Sequence, residues 1–243
     1  MYTRVVRLAT GQDVADVVAA RLLARIVELQ QTQPLVHLCL TGGDAANAMY
    51  EKLAELAEGS ALDAAKLQLW WGDERFLPAT DPGRNSLQAI SRLARTVSIN
   101  SAHTHMMAAK DGRKDSHESA AEYEAELGDT RFDITLLGIG RDGHVGSIFP
   151  DHPSFETTSL AVIGVEDAPK EPAERISLTI STLNRSDQVW FLANGREKAE
   201  AVSRALDGDE ALPAAHVHGD EATLWFIDEA AAGRLPAPYI CAL

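Results

Sequence analysis

Cysteine, positive charge and long apolar runs are all scarce in this chain of 243 residues. Its two cysteines, Cys39 and Cys241, give no disulfide framework. Cys39 lies inside the apolar run LVHLCL, where a thiol reads as a small buried hydrophobe. A reducing, cytoplasmic setting is therefore expected. No apolar run is long enough to span a bilayer, and the N-terminus carries no apolar signal region, so neither an anchor nor an export signal is expected. Lys and Arg number 22 against 36 Asp and Glu, a formal charge of −14. Nucleic acids and anionic membranes need a basic face, so neither is an expected partner. The same imbalance means that cations holding an anionic ligand must be gathered locally against an acidic background.

Hydrophobic residues make up 45% of the chain and charged residues 24%, the balance of an ordinary water-soluble fold. A chain of this length buries roughly 70–75% of its unfolded surface and needs no staples. There is no internal repeat, low-complexity tract or obvious linker. The loop 164–174, GVEDAPKEPAE, is too short to separate domains, so residues 1–243 are read as one domain.

TRVVRLA reads as a first strand. From Gly11 to about Gln31 the apolar residues Val14, Val17, Val18, Leu22, Ile26 and Leu29 recur at helical spacing. LVHLCL and KLQLWW read as strands, with a helix between them that ends near Gly59. A loop, GDERFLPATDPGRNS, leads to a helix from Ser86 to about Arg95. HTHMMAA reads as a short strand, 115–127 as an acidic amphipathic helix, and 133–138 as a central strand. SLAVIGV, RISLTIS, QVWFLA and ATLWFID read as later strands, with a helix between Arg196 and Leu206. Strands alternating with helices predict a doubly wound, mostly parallel α/β sheet with helices on both faces, a Rossmann-like architecture.

The densest chemistry lies in residues 133–153, DITLLGIGRDGHVGSIFPDHP. Here a buried strand runs into Gly138, Gly140 and Gly143, then Asp142-Gly143-His144. A histidine just past the carboxyl end of a central strand stands where open α/β sheets bind ligands, and its titration range suits proton transfer near neutral pH. The three glycines also match a dinucleotide fingerprint, with Glu166 about 20 residues further on. That reading needs a long helix opening at the third glycine, and Pro150 and Pro153 interrupt the segment.

Three more stretches could carry chemistry. In LVHLCLTGGDAANAMY, a strand, the Gly42-Gly43 turn and a helix N-terminus make an anion site, or simply a tight turn with Asp44 as the helix cap. In WWGDERFLPATDPGRNS, Asp73-Glu74-Arg75 follows a strand directly, at a carboxyl end, and a solvated charged loop is the plain reading. Arg175 opens a strand and Lys198 sits in the first turn of a helix after Asn194-Gly195. They read as a strand-edge charge and a solvated helix lysine. His103-x-His105 and His216-x-His218 each put two imidazoles on one face of an expected strand. Neither pair has a nearby partner that completes a metal set, so no metal is expected. Trp70 and Trp71 read as core.

In this order, the four stretches resemble the signatures of the 6-phosphogluconolactonases and the related glucosamine-6-phosphate deaminases over most of the chain. The resemblance implies a fold of the sugar-phosphate isomerase and lactonase type, with no cofactor. It implies hydrolysis of 6-phospho-D-glucono-1,5-lactone to 6-phospho-D-gluconate, the second step of the oxidative pentose phosphate pathway. His144 would act as general base, Arg75 as oxyanion partner, and Asp73 or Asp142 as the group orienting the imidazole. Gly42, Gly43, Arg175 and Lys198 would hold the phosphate. Two departures stand out: Asp44-Ala45-Ala46 replaces the usual Ser-Thr-Pro after the glycines, and Arg84-Asn85-Ser86 replaces a Ser-Asn order. The expected partner is a small phosphosugar lactone, and the expected assembly a monomer or small homo-oligomer. Two other readings remain open. A deaminase or isomerase of glucosamine 6-phosphate would need a second base, which Asp73 could supply. A non-catalytic sugar-phosphate-binding module would normally accompany a DNA-binding segment, and no such pattern is visible.

Overall fold

The computed structural model of the protein describes residues 1–236; Cys241 lies outside them. The chain opens with β1 (Tyr2–Leu8) and α1 (Gly11–Thr32). Thr10 caps that helix reciprocally: its side chain accepts from Asp13 N, and the Asp13 carboxylate accepts from Thr10 N. Then follow β2 (Val36–Leu40), α2 (Asp44–Ala57), β3 (Leu67–Trp71), β4 (Asp73–Arg75), α3 (Asn85–Leu93) and α4 (Ser116–Leu127). The second half contains β5 (Phe132–Gly138), β6 (Val162–Val165), β7 (Arg175–Leu178), α5 (Ile180–Leu183), β8 (Ser186–Ala193), α6 (Ala199–Leu206) and β9 (Ala222–Asp228).

The main sheet has six strands in the order β1-β9-β8-β5-β2-β3, and every pairing is parallel. Because successive side chains point to opposite faces, each strand feeds two cores. Leu38, Ile134, Leu136, Trp190, Leu224 and Phe226 pack beneath α1, α2 and α3. Cys39, Leu137, Val189, Phe191 and Trp225 pack on the other face with α4 and α6. A strand buried on both sides reads as a continuous apolar run, which is why LVHLCL and ITLL carry no alternation. Trp70 and Trp71 are both core, at 3% and 0% exposure.

A second sheet departs from the expected architecture. β4, β7 and β6 form a small antiparallel sheet, so SLAVIGV and RISLTIS are strands but leave the main sheet, and Asp73-Glu74-Arg75 is a strand instead of a loop. The chain crosses between sheets at Gly72. Its N–H donates to Leu40 O in the main sheet, while its carbonyl accepts from Leu178 N in the small one. HTHMMAA is no strand either. A 3-10 turn at Ser101–His103 leads to a single bridge between Thr104 and Leu69.

The paired histidines consequently share no strand face. The His105 ring stacks on Trp70 at 3.7 Å and is hydrogen-bonded to Glu126 and Gln68 at 2.6 and 2.7 Å. His216 ends another 3-10 turn, with Nε2 on Glu210 O at 2.8 Å. Among the described residues, no group of three metal-ligating side chains converges.

Candidate active site

A cavity of about 420 Å³ opens at the carboxyl ends of β2, β5 and β8. Of the predicted residues, Gly42, Gly43, Asp73, Arg75, His144, Arg175 and Lys198 all line it. Asp142 stands behind His144, off the lining. A larger hollow of about 920 Å³ between α4 and β6 contains none of them.

His144 reaches the cavity because the chain beyond β5 turns back on itself. Gly140 N donates to His144 O at 2.8 Å, and Gly143 N to Gly140 O at 3.1 Å. A side chain at Gly140 would meet the imidazole: its Cβ would lie 1.9 Å from Nδ1. No helix opens at Gly143, which has φ of +86° and lies against Leu212; the next feature is the bridge between Val145 and Ile148. The dinucleotide reading therefore fails for want of a helix.

The imidazole lies beside Phe149, with ring centroids 4.7 Å apart, and its Nδ1 is 2.6 Å from Asp142 Oδ1. A carboxylate on Nδ1 fixes the tautomer in which that nitrogen carries the proton, leaving Nε2 as the basic nitrogen. Burial raises the Asp142 pKa, but the hydrogen bond from His144 and the charges of His144 and Lys170 outweigh it and hold the carboxyl well below the usual range.

Asp73 does something other than the expected orienting task. Its Oδ2 accepts from Ser147 Oγ at 2.8 Å, and Asn85 Nδ2 bonds both its carbonyl and its Oδ1, at 3.0 and 3.2 Å. No hydrogen bond joins Asp73 to His144 or Arg75 among the described residues. The strand pleat explains the rest. Asp73 and Arg75 face the cavity, while Glu74 points the other way and is fully buried. Glu74 accepts from Asn85 N at 2.6 Å, Ser86 N at 2.9 Å and Ser86 Oγ at 2.6 Å, so it caps α3 from another strand. Burial pushes its carboxyl up, against those hydrogen bonds and against Arg84 3.6 Å away.

Arg75 and Arg175 are direct cross-strand partners on β4 and β7. Arg75 Nη1 donates to Gly83 O at 2.7 Å. Arg175 spends Nε on Pro172 O at 3.0 Å and Nη2 on Lys170 O and Glu171 O at 3.0 and 3.2 Å. Burial, then the Arg75 charge, lowers the Arg175 pKa. Like charges directly opposite on a sheet are unfavourable, and an anion between them removes the penalty. Lys198 ends a 3-10 turn just ahead of α6, and its Nζ donates to Ile139 O at 2.8 Å. Burial lowers its pKa too.

The glycine turn differs from expectation in one respect. Gly43, at φ +101°, is the residue ahead of α2, and Asp44 is the first helical residue, making no capping bond. The free N–H groups of that first turn thus have no side-chain competitor for an anion. The cavity residues without a role in the sequence reading include Asn85 and the charged Arg141, Lys170, Glu171 and Glu197. Lys170 lies in the loop that looked like a mere connector, and only its neighbour Arg175 marked the region.

The description "Glucosamine-6-phosphate isomerases/6-phosphogluconolactonase" belongs to a family model that matches residues 9–225. A 6-phosphogluconolactonase of Streptomyces coelicolor is 42% identical over 236 residues, covering 91% of this chain and 90% of that protein. The human 6-phosphogluconolactonase is 34% identical over 214 residues, covering 83% and 81%. Among solved structures, a 6-phosphogluconolactonase of Thermotoga maritima superposes with a TM-score of 0.83 at 28% identity, covering 94% of this chain and 100% of that one. A monomeric glucosamine-6-phosphate deaminase superposes with a TM-score of 0.78 at 25% identity, covering 95% and 99%. A family model over most of the chain and curated relatives above 30% identity along most of their length agree: the chain belongs to the glucosamine-6-phosphate isomerase/6-phosphogluconolactonase family.

Proposed function

We propose that the chain hydrolyses 6-phospho-D-glucono-1,5-lactone to 6-phospho-D-gluconate, with His144 as the base. The lactonase names of its relatives support the activity. One observation carries the mechanism: an imidazole held by a carboxylate shares a cavity with a facing pair of guanidiniums. His144 Nε2 takes a proton from water as the water oxygen bonds to C1 and the carbonyl electrons move onto its oxygen. The charge on that oxygen is met by Arg75. When the tetrahedral intermediate collapses, the bond from C1 to the ring oxygen breaks and the imidazolium returns the proton to that oxygen. Asp142 keeps the imidazole in its working tautomer throughout.

The phosphate is assigned to the Gly42-Gly43 turn, Arg175 and Lys198, where helix N–H groups and cations meet. A lactone is already an activated ester, and a positioned general base contributes about 10²–10⁴-fold. Asp73 serves here as a fixed wall of the site, with both oxygens engaged by Asn85 and Ser147. A deaminase reading would require it as a free second base.

The test is an assay on freshly made lactone, corrected for spontaneous hydrolysis. Wild type should turn over rapidly, and His144→Ala should lose at least about 100-fold. His144→Ala at the wild-type rate would refute the mechanism. Ammonia release from glucosamine 6-phosphate without lactone hydrolysis would refute the function.

A further inference from the structure

The cation nearest the base is neither Arg75 nor Lys198. Lys170 Nζ lies 3.3 Å from His144 Nδ1 and 3.7 Å from Asp142 Oδ1. An ammonium has only donors, and so does Nδ1 when it carries the proton, so the two compete for one carboxylate oxygen. Nothing in the reaction scheme requires a cation there, and its place is not accidental. The Lys170 carbonyl is held by Arg175 Nη2 at 3.0 Å, and the same guanidinium grips the carbonyls of Glu171 and Pro172. The segment carrying Lys170 is thereby tied to β7.

We propose that Lys170 is a positioning residue for the base: by sharing Asp142 with His144 it keeps the imidazole neutral, and therefore able to accept a proton, at pH values where Asp142 alone would leave it charged. The inference rests on the lactonase reading with His144 as base. A carboxylate 2.6 Å from Nδ1 favours the imidazolium form, which cannot accept a proton from water. An ammonium 3.3 Å from the same nitrogen opposes that preference. The Asp142 and Lys170 side chains are 37% and 45% exposed, so solvent screens both charges, while the His144 side chain on which they act is only 18% exposed.

The other charged groups around the cavity are Arg75, Arg141, Arg175 and Lys198 against Asp44, Asp73, Glu171 and Glu197, four of each sign. On the remaining side stands the uncharged Phe149 ring. Among the described residues, Asp142 and Lys170 are the charged side chains in direct contact with the imidazole, and contact is where the interaction is strongest.

The test compares wild type with Lys170→Met and with the charge-retaining Lys170→Arg. The His144 imidazole is followed by NMR through pH, its signals assigned by their loss in His144→Gln. In parallel, kcat/KM on the lactone is measured across the same range. Removing the neighbouring cation favours the protonated ring, so in Lys170→Met the imidazole midpoint and the acid limb of kcat/KM should both rise by about one pH unit. One unit below the wild-type midpoint that amounts to a loss of nearly tenfold, shrinking to little on the alkaline plateau. Lys170→Arg should follow wild type.

An imidazole midpoint unchanged or lowered in Lys170→Met would overturn the proposal. So would a rise in KM confined to phosphorylated lactone with no movement of the acid limb, since that would make Lys170 a phosphate ligand. The NMR titration needs no turnover. A protein without lactonase activity would therefore refute the proposed function, while the NMR result would still decide whether Lys170 controls the charge of His144.

Discussion

The Asn85 side chain fills the space beside Gly42 that a side chain at residue 42 would need: a Cβ there would lie 1.9 Å from Asn85 Oδ1 and 2.4 Å from Cγ. This glycine is required for contact, not for an unusual backbone angle. The same amide donates to Asp73, and its backbone N–H is fixed by Glu74. Residue 42 therefore touches a chain of buried polar groups that ends at the cavity wall.

Gly42→Ala should push the Asn85 amide off Asp73. Overpacking of this kind costs about 1–3 kcal/mol in stability. The lactonase kcat/KM should fall by roughly tenfold or more, because a small misplacement of site groups is expensive. Gly43→Ala is the contrast. Nothing lies within 4 Å of its would-be Cβ, but φ is +101° and ψ 165°, a region almost reserved for glycine, so the cost is backbone strain of about 1–3 kcal/mol without a displaced partner. Thermal midpoints and kinetics of the two variants distinguish these cases. A Gly42→Ala enzyme with native stability and activity would show that Asn85 yields freely.

Lys198 offers a sharper test of the phosphate site. Its ammonium is anchored on Ile139 O at 2.8 Å and faces the cavity, in surroundings whose burial disfavours its charge. An anionic ligand supplies the missing compensation. Lys198→Met should lower kcat/KM on the phosphorylated lactone by about 10- to 100-fold, the worth of one charge-assisted hydrogen bond. On unphosphorylated glucono-1,5-lactone it should change little. Equal losses on both substrates would remove Lys198 from the phosphate.

Apolar periodicity made the parallel sheet legible, because both faces of the central strands are buried and their sequences are continuous apolar runs. The small antiparallel sheet was not legible. Its strands are three or four residues long, and β4 is Asp-Glu-Arg, whose charges outweigh any strand signal. Only the tertiary partner, β7, makes those residues extended. Of the cavity residues, Gly42, Gly43 and His144 stood out as a glycine turn and a histidine at strand ends, while Arg75, Arg175 and Lys198 stood out through the motifs that resemble the family. Lys170 could not, since its role depends on Arg175 folding a connector back onto Asp142. The partners of Asp73 were equally hidden: Ser147 is remote in sequence, and Asn85, 12 residues on, meets the carboxylate only once the intervening loop folds back.

Asp142 ties activity and stability to pH in a direction that can be worked out. Burial raises its pKa, but His144 and Lys170 bring it below the unfolded value, which is about 3.9. A carboxyl depressed by folding stabilises the native state fully above the unfolded pKa, and loses that contribution as pH falls through the folded one. Asp142→Asn removes the contribution at every pH. The stability gap between wild type and variant should therefore shrink steadily as pH falls below about 4. With 37% of the side chain exposed, screening keeps the gap modest. Activity should suffer far more. An Asn at 142 can donate to Nδ1 and so favour the tautomer with its proton on Nε2, which cannot act as base; a loss of about 100-fold or more in kcat is expected. Urea denaturation of both proteins from pH 7 down to about pH 2.5 checks the first outcome, and steady-state assays near neutral pH check the second. A stability gap that persists unchanged into strong acid would mean that folding does not depress the Asp142 carboxyl, and the ion pair would lose its place in the account.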